Sequence, residues 1–367
     1  MAKQRDYALD ALKILATITI IFHHYQQICD VQFERGINFF GGFFNFGYVV
    51  ELFFIISGYV MFPYVKELLL GGVSFKEFYL KRFLRVFPVM TCGAIGYECF
   101  LTIYNRLCQA EGGSWFDQTP SLWGTVIASL GIQHGWGLSD LRVNYPTWYI
   151  SVLLLCYIWM YLAVYISNRL KISYRYFFAF MIFIGISTLT YNFKLPLFQG
   201  ETGRGYCAFF AGLFLADFLK ESHQIKKWFL PSFATLSFLT MLIVKHSTLL
   251  GAEIWYILVF LYYPSLIIVF KLIFSTKLCS FKWIGMLSKI SFSTYIWHNP
   301  FYILMYIFIK VFHWGLNLQS RKTMIGYAVF CYTFGALFYF LFEKPVALWI
   351  GKKFLKRENE KQQGVLS

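Results

Sequence analysis

Long apolar stretches recur along the whole chain, and they constrain its fold more than any other feature. A spanning helix needs roughly 20 apolar residues. Runs near that length lie at Leu9 to Ile28, Phe43 to Val65, Phe87 to Tyr104, Trp148 to Ser167, Tyr176 to Tyr191, Tyr206 to Leu219, Phe229 to Val244, Ala252 to Phe274, Ser291 to Phe312 and Met324 to Phe342. Charge is correspondingly scarce, at 14% of residues against about 25% in a soluble domain. This excludes a soluble globular enzyme, a disordered chain and a collagen-like one. The expected fold is an all-α polytopic membrane protein with about ten transmembrane helices, forming one membrane-embedded domain over residues 1–350 with a basic tail at 351–367.

The net charge of +15 would suggest nucleic acid as the partner of a soluble protein. Here the cations are dispersed between apolar runs, as membrane proteins mark their cytoplasmic loops, so no nucleic acid is expected. Placing the N-terminus inside puts Lys3, Arg5, Lys66, Lys81, Arg82, Arg85, Arg175, Lys220, Lys226, Lys282, Lys352 and their neighbours in the cytoplasm. The opposite loops keep only Arg106, Arg142, Lys194, Arg204, Lys245, Arg321, Lys322 and Lys310. Both termini are therefore expected in the cytoplasm. No small-residue cleavage site follows the first run, which is expected to stay as a signal anchor. The eight cysteines show no paired spacing and define neither a metal site nor a disulfide framework. The long outer loop, Leu107 to Thr147, carries Trp115, Trp123, Trp136, Asp117 and Asp140, with a short helix expected within Ser121 to Ile132. Trp rings beside carboxylates suit a sugar; they equally suit anchoring at headgroup level.

Ionisable residues inside spans are costly and point to function. Lys13 and His24 are eleven residues apart, about 20° beyond three full helical turns, so they share a face about 16 Å apart along the axis. His23 points elsewhere. An alternative has Lys13 snorkelling with Asp10 as its i, i+3 partner and His24 simply wet near the outer end. Glu51 lies in the outer half of the second span, which allows it to meet His24 and fix the imidazole tautomer. Ser57-Gly58 reads as a close helix contact. Arg82 and Arg85 share a helical face and suit phosphate oxygens, or serve as ordinary positive-inside charge. The ninth span carries a polar cluster, Ser291 to Pro300, in which Tyr295 and His298 are catalytic or structural.

Taken in order, these segments resemble the integral-membrane acyltransferase family three, which includes many bacterial O-acetyltransferases of surface glycans. The resemblance runs from about Tyr7 to Pro345. It rests on His24 eleven residues after a basic residue, Glu51-Leu52-Phe53-Phe54-Ile55-Ile56-Ser57-Gly58, Arg82-x-x-Arg85 followed by Pro88, and Pro146-Thr147-Trp148-Tyr149-Ile150-Ser151. It continues with Arg204 before Phe209-Phe210-Ala211-Gly212, Ser291 to Pro300, and Glu343-Lys344-Pro345. The chain departs from the pattern in Lys13, where Arg is usual, and in the apolar stretch after Ser151, where many members carry a glutamate.

The resemblance implies transfer of an acetyl or similar short acyl group from cytoplasmic acyl-CoA, a co-substrate and not a resident cofactor, to a sugar hydroxyl of a cell-surface or exported polysaccharide. The setting would be the bacterial plasma membrane. In that scheme His24, oriented by Glu51, is the base, and Lys13, Arg82 and Arg85 face the acyl-CoA. Trp148, Tyr295 and His298 are weaker candidates for lining the acyl or sugar path. A sugar hydroxyl needs a base with pKa near 7, which histidine supplies, and arginines suit the phosphates of coenzyme A. The competing reading is a transporter or flippase with Lys, His and Glu as a proton pathway; it predicts internal repeats, and the halves show no convincing match.

Overall fold

The computed structural model describes residues 5–42, 44–108, 118–138, 143–221, 231–233, 235–237, 239, 254–274 and 282–353. Its helices are α1 (Tyr7–Cys29), α2 (Val49–Leu69), α3 (Phe75–Cys108), α4 (Leu122–Leu130), α5 (Trp148–Leu170), α6 (Tyr174–Thr190) and α7 (Gly200–Glu221). They continue with α8 (Ile254–Phe274), α9 (Lys282–Val311) and α10 (Arg321–Lys353). Only two isolated bridges and no strand occur among the described residues. Helices are the expected solution, because lipid offers no partner for an unpaired backbone N–H or C=O.

Five described helices, α2, α3, α5, α8 and α10, are long and apolar enough to cross a membrane. The seventh expected span, Phe229 to Val244, lies largely outside the described residues, as do Trp115, Asp117, Asp140 and Arg142. Several helices outrun the apolar cores that announce them. The third run is the centre of α3, so Arg82 and Arg85 sit on the same helix as Phe87 to Tyr104. The sixth begins at Gly200 in place of Tyr206, which moves Arg204 from the expected loop into α7. Gly200, Gly203 and Gly205 disfavour helix by about 1 kcal/mol each, and packing overrides them. The short loop helix is α4, capped by the Ser121 hydroxyl on Gly124 N and ended by Gly131 at φ 64°.

The chain forms two compact units. The first comprises Met1–Glu77, Ile132–Asp140 and Trp148–Ser288. Its centre is α7, which meets its neighbours backbone to backbone. A Cβ on Gly58 of α2 would collide with the Phe209 carbonyl, and one on Gly212 would collide with Ile55. On another face of α7, Gly203 and Gly185 of α6 abut in the same way, and Gly205 lies against Val152 of α5. Without a hydrophobic drive between helices in lipid, such small-residue approaches are what hold them together. The close contact read from Ser57-Gly58 is therefore real.

The second unit comprises Phe78–Gly131, Leu141–Thr147 and Lys289–Ser367, with α9 at its centre. Gly93 and Gly96 of α3 seat Ile296 and Trp297, and Gly335 of α10 seats Thr294. Helix α9 continues through Pro300. Proline has no N–H, so the carbonyl four residues back, Ile296, loses its helical donor. The Asn144 side-chain amide supplies the replacement, donating to Ile296 O at 3.0 Å.

That substitution of one donor for another is testable by thermal unfolding in detergent. Asn144→Ala alone orphans a buried carbonyl, at a cost of roughly 1–3 kcal/mol. In a Pro300→Ala background the helix supplies its own N–H, and Asn144→Ala is expected to cost much less. An equal cost in both backgrounds would show that Asn144 does not replace the missing bond.

Candidate active site

The C-terminal end of α1 and the N-terminal ends of α2, α7 and α8 meet at one end of the first unit. Glu51, in the first turn of α2, is completely buried. Its Oε1 accepts from Arg204 Nε at 2.5 Å and from Trp255 Nε1 at 2.7 Å. Burial makes a permanent cation obligatory here, since an uncompensated carboxylate away from water is prohibitively costly. The helix N-terminus adds its positive dipole end. Arg204 also reaches Gly47 O at 3.5 Å and lies 4.9 Å over the Trp148 ring. Tyr263 donates to Tyr48 O at 2.8 Å. Together these bonds hold the turn Phe46–Tyr48 that opens α2.

Helix α1 reaches this turn with His23, which abuts Gly47 and opens the run His23-His24-Tyr25-Gln26-Gln27. His23 and Gln26 are buried and are committed to the loop that follows. His23 Nδ1 donates to Phe39 O at 2.8 Å. Gln26 Oε1 accepts from Phe39 N at 2.5 Å and Phe40 N at 3.2 Å, and its Nε2 donates to Asn38 Oδ1 at 2.9 Å. Asn38 in turn bonds both the N–H and the carbonyl of Phe33. His24 and Gln27, on the adjoining face, are half-buried. Nδ1 of His24 lies 3.0 Å from Gln27 Oε1, and its ring meets that of His23 edge to face at 5.2 Å.

The structure thus brings His24, Glu51 and Trp148 to one end of one unit without joining His24 to Glu51. The carboxylate is taken by Arg204 and Trp255, and the imidazole by Gln27. Trp148 is 4% exposed and packs under Arg204 and against Phe54, which makes it a wall of the network. Lys13 lies roughly 16 Å further along α1. Its ammonium is 3.9 Å from Asp10 Oδ1, the i, i+3 pairing of the alternative reading. Asp10 also takes Arg5 Nε at 2.5 Å and Ser288 Oγ at 2.7 Å, while Lys271 bonds Asp6 at 2.5 Å. This far end of α1 is an ionic lock tying it to α8 and to the start of α9.

The remaining expected residues belong to the second unit. Arg82 folds back on its own helix, donating to Phe78 O at 2.6 Å and lying 3.6 Å over the Phe78 ring, whereas Arg85 is exposed. Tyr295 donates to Pro146 O at 2.7 Å. His298 is fully buried, with Nδ1 2.5 Å from Tyr295 O, and its own carbonyl accepts from Tyr327. His298 thus bonds within its own helix, and Tyr295 ties that helix to the turn Tyr145–Thr147. Ser293 donates to Glu343, which lies in the π-turn Tyr339–Glu343 preceding Pro345.

Sequence reasoning missed Trp255 and Gln27. The signal for Gln27 was its i+3 spacing from His24, which puts the two side chains in reach on a helix. Trp255 carries no local signal, since only the tertiary approach of α8 brings it to Glu51.

A protein-family model described as an acyltransferase domain, acyltransferase family 3, matches residues 6–344. The chain belongs to that family, as a multi-pass membrane acyltransferase. No curated protein and no solved structure matches the chain.

Arg204→Leu would strand the buried Glu51 carboxylate, a change that costs roughly 3–5 kcal/mol. The amount of monodisperse protein recovered in detergent should fall sharply, and Arg204→Leu with Glu51→Gln should recover part of it. Wild-type recovery of Arg204→Leu, judged by size-exclusion chromatography, would show that the ion pair does not support the fold.

Proposed function

We propose that this protein transfers an acetyl or similar short acyl group from cytoplasmic acyl-CoA to a sugar hydroxyl of a cell-surface or exported polysaccharide, in the plasma membrane of a bacterium. The observation that carries this reading is a half-buried histidine, His24, at the end of the first helix of an acyltransferase-family chain. Its ring meets that of His23, which abuts Gly47 in the turn that the Glu51–Arg204–Trp255 network holds as a floor. A sugar hydroxyl is a weak nucleophile at neutral pH. His24 takes its proton as the oxygen attacks the thioester carbonyl, and the CoA thiolate leaves. Glu51 acts through the floor it organises.

Arg85, exposed near the start of α3, suits the phosphates of the donor. Lys13 and Arg82 hold structural partners here, and their part in donor binding is secondary. The acceptor stands on chemistry alone: a glycan offers many hydroxyls of the kind a histidine base activates.

Membranes carrying the protein, given labelled acetyl-CoA, should acetylate the envelope glycan of the host, read by mass spectrometry of the glycan. His24→Ala is expected to abolish that transfer while leaving a normal amount of protein in the membrane. Undiminished O-acetylation by His24→Ala would sink the assignment of His24. A wild-type protein that neither transfers nor hydrolyses the acetyl group would sink the choice of donor.

A further inference from the structure

The segment His23-His24-Tyr25-Gln26-Gln27 contains two histidine–glutamine pairs, each spaced i, i+3 and offset from the other by one residue. One residue on a helix is about 100° of rotation, so the pairs occupy different faces. The structure gives them different work. His23 and Gln26 are buried and spend their hydrogen bonds on the backbone of Phe39 and Phe40 and on Asn38. His24 and Gln27 are half-buried and bond to each other.

The direction of that second bond matters. Gln27 meets the ring with its amide oxygen, which can only accept, so His24 Nδ1 carries the proton. In the neutral imidazole the other nitrogen, Nε2, is then the basic one. A base must present the correct nitrogen before a substrate hydroxyl arrives. In many sites a carboxylate makes that choice; here the nearby carboxylate, Glu51, is taken by Arg204 and Trp255. The edge-to-face contact with His23 steadies the same ring from the other side, and His23 is itself pinned by Phe39 O.

We propose that Gln27 is a positioning residue for acyl transfer, its amide oxygen holding the His24 ring with Nδ1 protonated and Nε2 presented to the acceptor hydroxyl. The inference rests on the reading of His24 as the base. The proton taken at Nε2 makes a transient imidazolium, whose Nδ1–H still points at the same oxygen, so Gln27 need not move during the reaction. A neutral amide oxygen is sufficient to fix both orientation and tautomer.

The test measures acetyl transfer from labelled acetyl-CoA to envelope glycan in membranes carrying wild-type protein, Gln27→Leu, Gln27→Glu and His24→Ala, with the folded fraction checked by size-exclusion chromatography. Gln27→Leu removes the acceptor and is expected to lower kcat by about 10²-fold, with KM for acetyl-CoA unchanged. Gln27→Glu keeps an acceptor for Nδ1–H and should recover most of kcat, which a purely structural role for Gln27 does not predict. Wild-type kcat in Gln27→Leu, or folded Gln27→Glu as inactive as Gln27→Leu, overturns the assignment. Full activity in His24→Ala would instead remove the underlying reading of the base.

Discussion

A carboxylate sealed from water at the start of α2 is the constraint on which the first unit turns. Glu51 cannot remain charged there without a cation, so α7 must deliver Arg204 to it, and α8 adds the indole of Trp255. Delivering Arg204 requires α7 to lie close to its neighbours, and the flanking Gly203 and Gly205 allow it, against Gly185 of α6 and Val152 of α5. Further along, Gly212 and Gly58 bring α7 and α2 into backbone contact. The same arginine reaches Gly47 O and so holds the turn that abuts His23. Charge pairing, small-residue packing and the floor of the site are one arrangement.

Helix α1 carries two polar clusters of different character, one at each end. Near its start, Asp6 and Asp10 gather Arg5, Lys13, Lys271 and Ser288 into a closed ionic lock. Near its end, the polar groups are histidines and glutamines. Within that end the labour divides again by face: His23 and Gln26 fasten the loop Phe33–Phe40, while His24 and Gln27 stay at the accessible side. The second unit follows the same economy, with Asn144 and Tyr327 satisfying the carbonyls of Ile296 and His298 beside Pro300, so that a long helix can keep a proline in its interior, while Tyr295 bonds the Pro146 carbonyl.

Much of this was legible before any fold was known. Hydropathy marks the helices because lipid tolerates few alternatives. The ordered motifs, His24 after Lys13, Glu51 before Leu52-Phe53-Phe54, Arg82-x-x-Arg85 and Glu343-Lys344-Pro345, carry the family. The i, i+3 pairing of Asp10 with Lys13 is a local helical contact, and the structure shows it. What was illegible has a common cause. Arg204 sits in a glycine-rich segment that local propensity reads as loop, and only its burial between helices makes it helical. The pairing of Glu51 with Arg204 spans 153 residues of sequence, and that with Trp255 spans 204. A local pattern cannot rank such partners, so His24 looked as good a mate for Glu51 as any.

That this protein is a helical membrane acyltransferase could be read along the chain, because apolar run length and motif order are one-dimensional properties. The partners come from the packing of helices: Glu51 with Arg204, Asn144 with the carbonyl left open by Pro300. The reason is physical. A buried charge, ring nitrogen or carbonyl must be satisfied by whatever the packing of helices brings within about 3 Å, and that packing is set by small residues whose meaning appears only when two helices touch.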